Sequence, residues 1–408
     1  MINEADHERW VSSLSDVGMN TVSTTVYARQ GIWNSDNIWW NEEEVAVESE
    51  IRTAKAKGLK VVLILRVLLD HYFEENKFLW HGMIMPENDS LLGLWFDHYS
   101  IFVEKWAVKA EEMGVDALCI GSELRELSST LEVDGLPPLL EYYFNEEKQR
   151  EFIDKNIQYE ERLRANDLWV RGYGNYDDLE VFLADKSAKN KLWAESVGRG
   201  KDNGSLSEIN RTAEIKDSSW REIIADARER FSGRISYAAN FDNYEHVGFW
   251  DALDFIGVNA YFPLREIGEA LEPQILCDRW SDHMSSMSDF QKTIIGHSLP
   301  VIFTELGYIN KEGCSLAPWE GFGYSILSKD KVDSLIVWGR QDVDLNERAM
   351  ALSALHEACQ KDSSFHLQGI LYWKLTSETR LLQYEPFGLS INSDQNDPLL
   401  EALQLFSE

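Results

Sequence analysis

The chain has 408 residues, with 39 Lys and Arg against 70 Asp and Glu, which gives a formal charge of −31. Hydrophobic residues at 44 % and aromatics at 12 % make a globular composition, not a disordered one. So acidic a surface repels phosphate backbones and anionic lipid, which argues against nucleic-acid or membrane partners and favours a neutral or cationic substrate.

The four cysteines, Cys119, Cys277, Cys314 and Cys359, are far apart and form no CxxC pair, so neither a zinc site nor a dense disulfide framework is expected. No window approaches the roughly 18 uninterrupted apolar residues of a transmembrane helix. The first residues, Met1 to Arg9, lack the basic and apolar regions of a signal peptide, and the expectation is a cytoplasmic protein.

One unit recurs along the chain: an amphipathic helix, a Gly or Asn, then a short apolar run rich in β-formers. Trp10, Leu14 and Val17 form a helical stripe ending at Gly18, and Asn20 to Tyr27 follows as a strand. Glu42 to Lys57 predicts a helix stopped by Gly58, and Val61-Val-Leu-Ile-Leu-Arg66 a buried strand. Phe96, Tyr99, Val103, Trp106, Ala107, Ala110 and Met113 keep helical spacing up to Gly114, before the strand Ala117 to Gly121. After a long interruption, Ser219-Trp-Arg-Glu222 has the pattern of a capping box opening a helix to Phe231, followed by a strand from Arg234 to Asn240. Phe255 to Tyr261 is the next strand, and a helix around Asp289 to Ile295 precedes Pro300 to Leu306. Asn346 opens a helix to about Lys361, before the last strand, Gly369 to Leu375.

Seven strands alternating with helices predict parallel pairing with right-handed crossovers. The fold expected is α/β, a (β/α)8 TIM barrel whose first strand is not visible, because the chain opens on a helix. Two stretches fall outside the repeat. Residues 125–217 are charged, with few strand signals and a helical piece at Leu139–Ala165; they form an insertion on the catalytic face. The expected division is a catalytic barrel of residues 1–124 and 218–408 with 125–217 inserted after the third visible strand. Residues 308–345, with Trp319 and Trp338, are a second long connection on the same face, and both read as lids.

Two carboxylates stand where apolar strands end: Glu123 after Cys119-Ile-Gly-Ser122, and Glu305 after Val301-Ile-Phe-Thr304. A carboxylate there is costly unless paired or used. In a parallel barrel both open into one mouth. Paired carboxylates facing across a pocket suit glycosidic bond cleavage, one protonating the leaving oxygen while the other attacks or activates water. Asn240, Tyr261 and Trp373 also lie at strand ends. A phenol beside Glu305 can hold its carboxylate ionised, and an indole face suits the C–H-rich face of a sugar.

These segments resemble glycoside hydrolase family 113. Ile235-Ser-Tyr-Ala-Ala-Asn240 and Phe249-Trp-Asp-Ala-Leu-Asp-Phe-Ile-Gly-Val-Asn-Ala-Tyr-Phe-Pro-Leu264 carry the likeness. Pro300 to Tyr308 looks like the family's nucleophile strand and Ile120 to Leu124 like its acid/base strand. Val343 to Arg348 and Gly369 to Lys374 resemble the segments that close its barrel. The resemblance implies a retaining (β/α)8 enzyme of clan GH-A acting on β-1,4-mannan, with no metal or cofactor and an oligo- or polysaccharide substrate. It implies Glu305 as nucleophile, Glu123 as general acid/base, Tyr261 as hydrogen-bond partner of Glu305, Trp373 as a subsite floor and Asn240 as a polar contact. Tyr27, Arg29 and Gln30 are similar to its aromatic-plus-Gln wall. Ser122 stands where many clan members carry Asn.

Double displacement requires Glu123 to start protonated, so its pKa is expected to be raised. Three other readings stand beside it: a non-catalytic carbohydrate-binding barrel, the same hydrolysis on another β-glycan, and Schiff-base chemistry at Lys374.

Overall fold

The computed structural model describes residues 4–41, 44–131, 136–148, 151, 168–170, 174–176, 179–197, 206–320, 324–328, 334–338, 342–362, 364–376, 385–391 and 397–407. The chain opens with helix α1 (Glu4–Asp16), strand β1 (Thr21–Gln30) and a two-residue strand β2 (Ile38–Trp39). Helix α2 (Val45–Ala56) leads to β3 (Lys60–Leu69), and α3 (Asp89–Met113) to β4 (Ala117–Ser122). Short helices α4 (Arg125–Ser128) and α5 (Pro138–Phe144), strands β5 (Leu168–Val170) and β6 (Gly174–Tyr176), and α6 (Leu179–Ser196) come next. The repeat resumes with α7 (Leu206–Arg230), β7 (Arg234–Asn240), β8 (Ile256–Asn259), α8 (Pro273–Phe290) and β9 (Val301–Leu306). A hairpin, β10 (Tyr324–Ser328) and β11 (Ser334–Trp338), precedes α9 (Leu345–Lys361), β12 (Leu367–Tyr372) and α10 (Pro398–Gln404).

The seven apolar runs become seven parallel strands in one curled sheet, ordered β12-β9-β8-β7-β4-β3-β1, with β2 antiparallel at its end. One edge of β1 pairs with β3, so β2 occupies its other edge, where Ile38 and Trp39 meet Gln30 and Arg29. Strands β1 and β12, at opposite ends of the ladder, approach within 8 Å between Cα atoms, so the sheet curls back on itself. Among the described residues, β2 alone adds a strand at this seam.

Side chains alternate across each strand. Val61, Leu63 and Leu65 face outward onto the helices, in a large core with Trp95, Trp106 and Trp220. Val62 and Ile64 face inward with Ala117, Cys119, Ala238, Ile302 and Leu371, plus Phe255 just before β8. This inner cluster contains no helix residue and plugs the curl from within. Helix α3 buries the predicted stripe; the Asn88 side chain accepts from Leu91 N at its start, and Gly114 ends it at φ 67°, a left-handed turn that glycine adopts without a Cβ clash.

Two local expectations need correction, and two others gain detail. Ser219 lies inside α7, not at its start, because the apolar face runs back through Ile215; the boundary at 217 falls within that helix. The helix before β9 begins at Pro273, and 291–295 is a single π-type turn continuing it. Of the helical piece Leu139–Ala165, α5 forms Pro138–Phe144 and residues 146–148 and 151 are again helical, while 149–150 and 152–165 lie outside the described residues. The stretch 125–217 carries strands: β5 pairs with β6 and, across the chain, with β10, so both long connections share a four-stranded antiparallel sheet, β11-β10-β5-β6.

Candidate active site

Directly beyond the apolar plug, the inward positions turn polar. Arg66 continues the Val62–Ile64 face of β3 and is buried, together with Ser122, Asn259, Thr304 and Glu305. Asn259 Oδ1 accepts from Thr304 Oγ1 (2.8 Å), and Ser122 Oγ accepts from Arg66 Nη2 (2.8 Å). Arg66 Nη2 also donates to Glu305 Oε1 and lies 3.7 Å from Glu123 Oε2. The two carboxylates therefore meet at one guanidinium nitrogen, which limits the facing oxygens to roughly 7 Å apart.

Two backbone features aim Glu123. It leaves β4 at φ 54°, in the left-handed region that side chains rarely adopt, and its N–H still donates to Ala238 O (2.9 Å). Gly121 packs so tightly that a Cβ would meet the Tyr237 ring at 2.8 Å and Trp220 at 3.0 Å; the Tyr237 hydroxyl in turn accepts from Leu124 N (2.8 Å). His81, on the single turn His81–Met83, places Nε2 2.9 Å from Glu123 Oε2. On the other side, the Tyr261 hydroxyl donates to Glu305 Oε2 (2.7 Å), and Ala260 N donates to the Glu305 carbonyl.

Of the remaining sequence-predicted residues, Tyr27 faces this pocket, half-buried, with Arg66, Glu305 and Glu123 all acting on its phenol. Trp373 is half-buried, its ring centroid 5.7 Å from the Arg66 guanidinium. Asn240 is buried at the end of β7, its amide donating to Asp242 Oδ1 (2.9 Å). Gln30 is not brought to the pocket. It lies an odd number of residues from Tyr27 and so on the opposite face of β1, fully buried, donating to Ile32 O and Ser35 O and accepting from Trp95 Nε1. Arg29 is exposed. Lys374, the Schiff-base candidate, pairs with Glu385 at 2.7 Å.

Arg66 and His81 were not anticipated as site residues. Arg66 carries the same signal as the two glutamates, a charge closing an apolar strand; His81 comes from a loop turn with no periodic pattern.

The electrostatics reverse the expectation of a raised Glu123, and at Glu305 burial outweighs the phenol expected to hold it ionised. Burial alone would raise the carboxyl of Glu123, but Arg66 and His81 hold it down at about 2. Burial, with the Glu123 charge nearby, pushes Glu305 up to about 7 against the opposing pull of Arg66 and the Tyr261 hydroxyl. Arg66 serves both buried carboxylates, and Glu123, which His81 also partners, takes the charge first. Burial and the two carboxylates keep the Tyr261 phenol well above its ordinary value, so it remains a donor.

The sequence profile of Glycoside Hydrolase Family 113 matches residues 3–132 and 206–331. A search of curated proteins finds no match. Among solved structures, the chain resembles the family 113 β-mannanase AaManA from Alicyclobacillus acidocaldarius in complex with ManMIm, at 18 % identity and a TM-score of 0.60, covering 98 % of this chain and 91 % of that one. A second structure, described as a family 113 β-1,4-mannanase, gives 15 % identity and a TM-score of 0.57, covering 99 % and 93 %. At these identities the likeness is one of fold.

Proposed function

The chain belongs to glycoside hydrolase family 113 and is a glycoside hydrolase, and on that premise we propose that it cleaves β-1,4-linked mannan or manno-oligosaccharides by double displacement. The observation that carries this reading is the meeting of Glu123 and Glu305 at Arg66, with the Tyr261 hydroxyl on the far oxygen of Glu305. Retaining enzymes hold their carboxyl groups about 5–5.5 Å apart and inverting ones roughly 6.5–9.5 Å. The limit of roughly 7 Å set by the shared guanidinium nitrogen admits the closer arrangement and excludes most of the inverting range.

In the first step Glu305 attacks the anomeric carbon, forming the glycosyl ester as the bond to the leaving oxygen breaks and that oxygen takes a proton from Glu123. In the second, Glu123 takes a proton from water, whose oxygen displaces Glu305 at the same carbon. Arg66 and Tyr261 orient the attacking carboxylate and stabilise it as a leaving group. Trp373 and Tyr27 offer apolar walls to the sugar ring, and Asn240 a polar edge. In this reading the barrel is built from residues 1–124 and from the chain that resumes with α7, and the described strands β5, β6, β10 and β11 of the two long connections form a separate sheet beside it.

A panel of reducing-end-labelled manno- and gluco-oligosaccharides, with product anomers followed by NMR, tests the substrate and the stereochemistry. The expected outcome is cleavage of the manno series with retention; inverted product or preferred turnover of the gluco series overturns the corresponding half of the reading. Glu123→Ala should slow manno-oligosaccharides far more than aryl mannosides with good leaving groups, because only the former need protonation.

A further inference from the structure

Double displacement gives His81 no task, although its Nε2 lies 2.9 Å from the acid/base. We propose that His81 is a positioning residue that holds the proton of the acid/base: its imidazolium donates to Glu123 Oε2 in the open pocket and yields that proton to the carboxylate when sugar covers the pair. The inference rests on the double-displacement reading and deepens it.

The imidazole is anchored by its surroundings. It sits on the turn His81–Met83, where Met83 N donates to Trp80 O and Met83 O accepts from Trp193 Nε1 (2.8 Å). Position 82 has no room for a side chain: a Cβ there would overlap the Trp80 ring at 2.1 Å, and that ring stands edge-on to His81 at 5.1 Å. Trp193 belongs to α6, so the stretch 125–217 buttresses the turn from behind. The left-handed backbone of Glu123 fixes the other partner.

Both side chains are largely enclosed and retain some solvent access, with side-chain exposures of 18 % for His81 and 11 % for Glu123. The charged and titratable groups that act on Glu123 or lie around it are Arg66 on β3, Glu305 on β9, and the phenols of Tyr27 on β1, Tyr237 on β7 and Tyr261 beyond β8; Asn259 contributes a neutral hydrogen bond. With Arg66 beside it, Glu123 is ionised when the pocket is open. It cannot act as an acid until a proton arrives. A neutral sugar expels water, and an imidazolium–carboxylate pair stripped of water is less favourable than imidazole beside carboxylic acid.

The proton count closes over the cycle. The Nε2–H bond breaks and an Oε2–H bond forms on Glu123, which leaves both groups neutral. Glu123 then gives that proton to the leaving sugar oxygen. In the second step Glu123 takes a proton from the attacking water and shares it back to Nε2. The pair therefore ends as it began, and the hydrolysed bond has gained one water.

The test is the pH dependence of kcat/KM for His81→Gln, which retains an N–H donor and has no titratable group. On manno-oligosaccharides the alkaline limb should move to lower pH by about one unit or more, because the remaining proton is that of Glu123 alone; turnover at pH 7 should fall about 100-fold. The loss on an aryl mannoside with a good leaving group should be at least about tenfold smaller. In His81→Gly, added imidazole should restore oligosaccharide turnover, which guards against a folding defect. An unmoved alkaline limb, or equal losses on both substrates with no rescue, would overturn the inference. If Glu123→Ala shows its leaving-group dependence while His81→Gln leaves the limb in place, only the role of His81 fails; if Glu123→Ala shows none, the underlying mechanism fails.

Discussion

Arg66 lies between two buried carboxylates whose pKa values are displaced in opposite directions, and that makes the site's stability depend on pH. With its carboxyl raised to about 7, Glu305 in the folded state releases its proton around neutral pH and becomes the attacking carboxylate there, whereas the unfolded chain releases it near the ordinary 4.5. Folding stability attributable to Glu305 is therefore full below about pH 4.5 and declines as pH rises toward 7. Glu123, depressed to about 2, has the opposite sign: its contribution is present above 4.5 and is lost as pH falls toward 2. Glu305→Gln removes the disfavoured charge and leaves Arg66 paired with Glu123 alone. It should abolish turnover and raise Tm, with the gain over the parent growing between pH 5 and 7 and constant above about 8. Thermal melts across that range check it; a gain with no pH dependence would mean that relief of charge crowding is not the cause.

Gly121 shows how an element's packing reaches the chemistry. A methyl group there is driven into Tyr237 and Trp220, the side chains behind the end of β4. Gly121→Ala should destabilise the protein by about 1–3 kcal/mol through overpacking and displace Glu123, so kcat should fall about tenfold or more even at temperatures where the variant is fully folded by circular dichroism. The strands were legible because a buried parallel strand is a short apolar run, and the glutamates because a charge at the end of such a run stands out. Gln30 was misread because a wall of adjacent residues cannot line one pocket from one strand; alternation sends Tyr27 and Gln30 to opposite faces. The capping pattern at Ser219 was overridden by tertiary packing, since the helix already had an apolar face upstream of it. The small sheet was illegible because its partners, 168–176 and 324–338, lie far apart in sequence and none of its strands exceeds five residues. That pairing predicts a shared fate: in hydrogen-exchange measurements, amides of β5 and β6 should lose protection in the same opening event as those of β10 and β11. Separate opening rates for the two connections would show that the sheet does not couple them.

Across the whole molecule the charge of −31 sets the field that a glycan meets before it reaches Arg66. A neutral chain crosses that field without an electrostatic penalty, so kcat/KM on neutral mannan should change by less than about twofold as salt rises through the range over which the Debye length falls from about 30 Å to 3 Å. A glycan of the same backbone carrying carboxylates is repelled, most strongly at low salt, where screening is weakest. Its kcat/KM should therefore start well below that of the neutral chain and climb as salt is added. The competing influence is local: Arg66 could attract an anionic sugar, but Glu123 and Glu305 already face it, so the pocket carries no uncompensated positive charge once both are ionised. The measurement is kcat/KM against salt concentration for the neutral and carboxylated substrates side by side. A carboxylated substrate that performs better at low salt than at high salt would place control in the pocket and not in the surrounding surface.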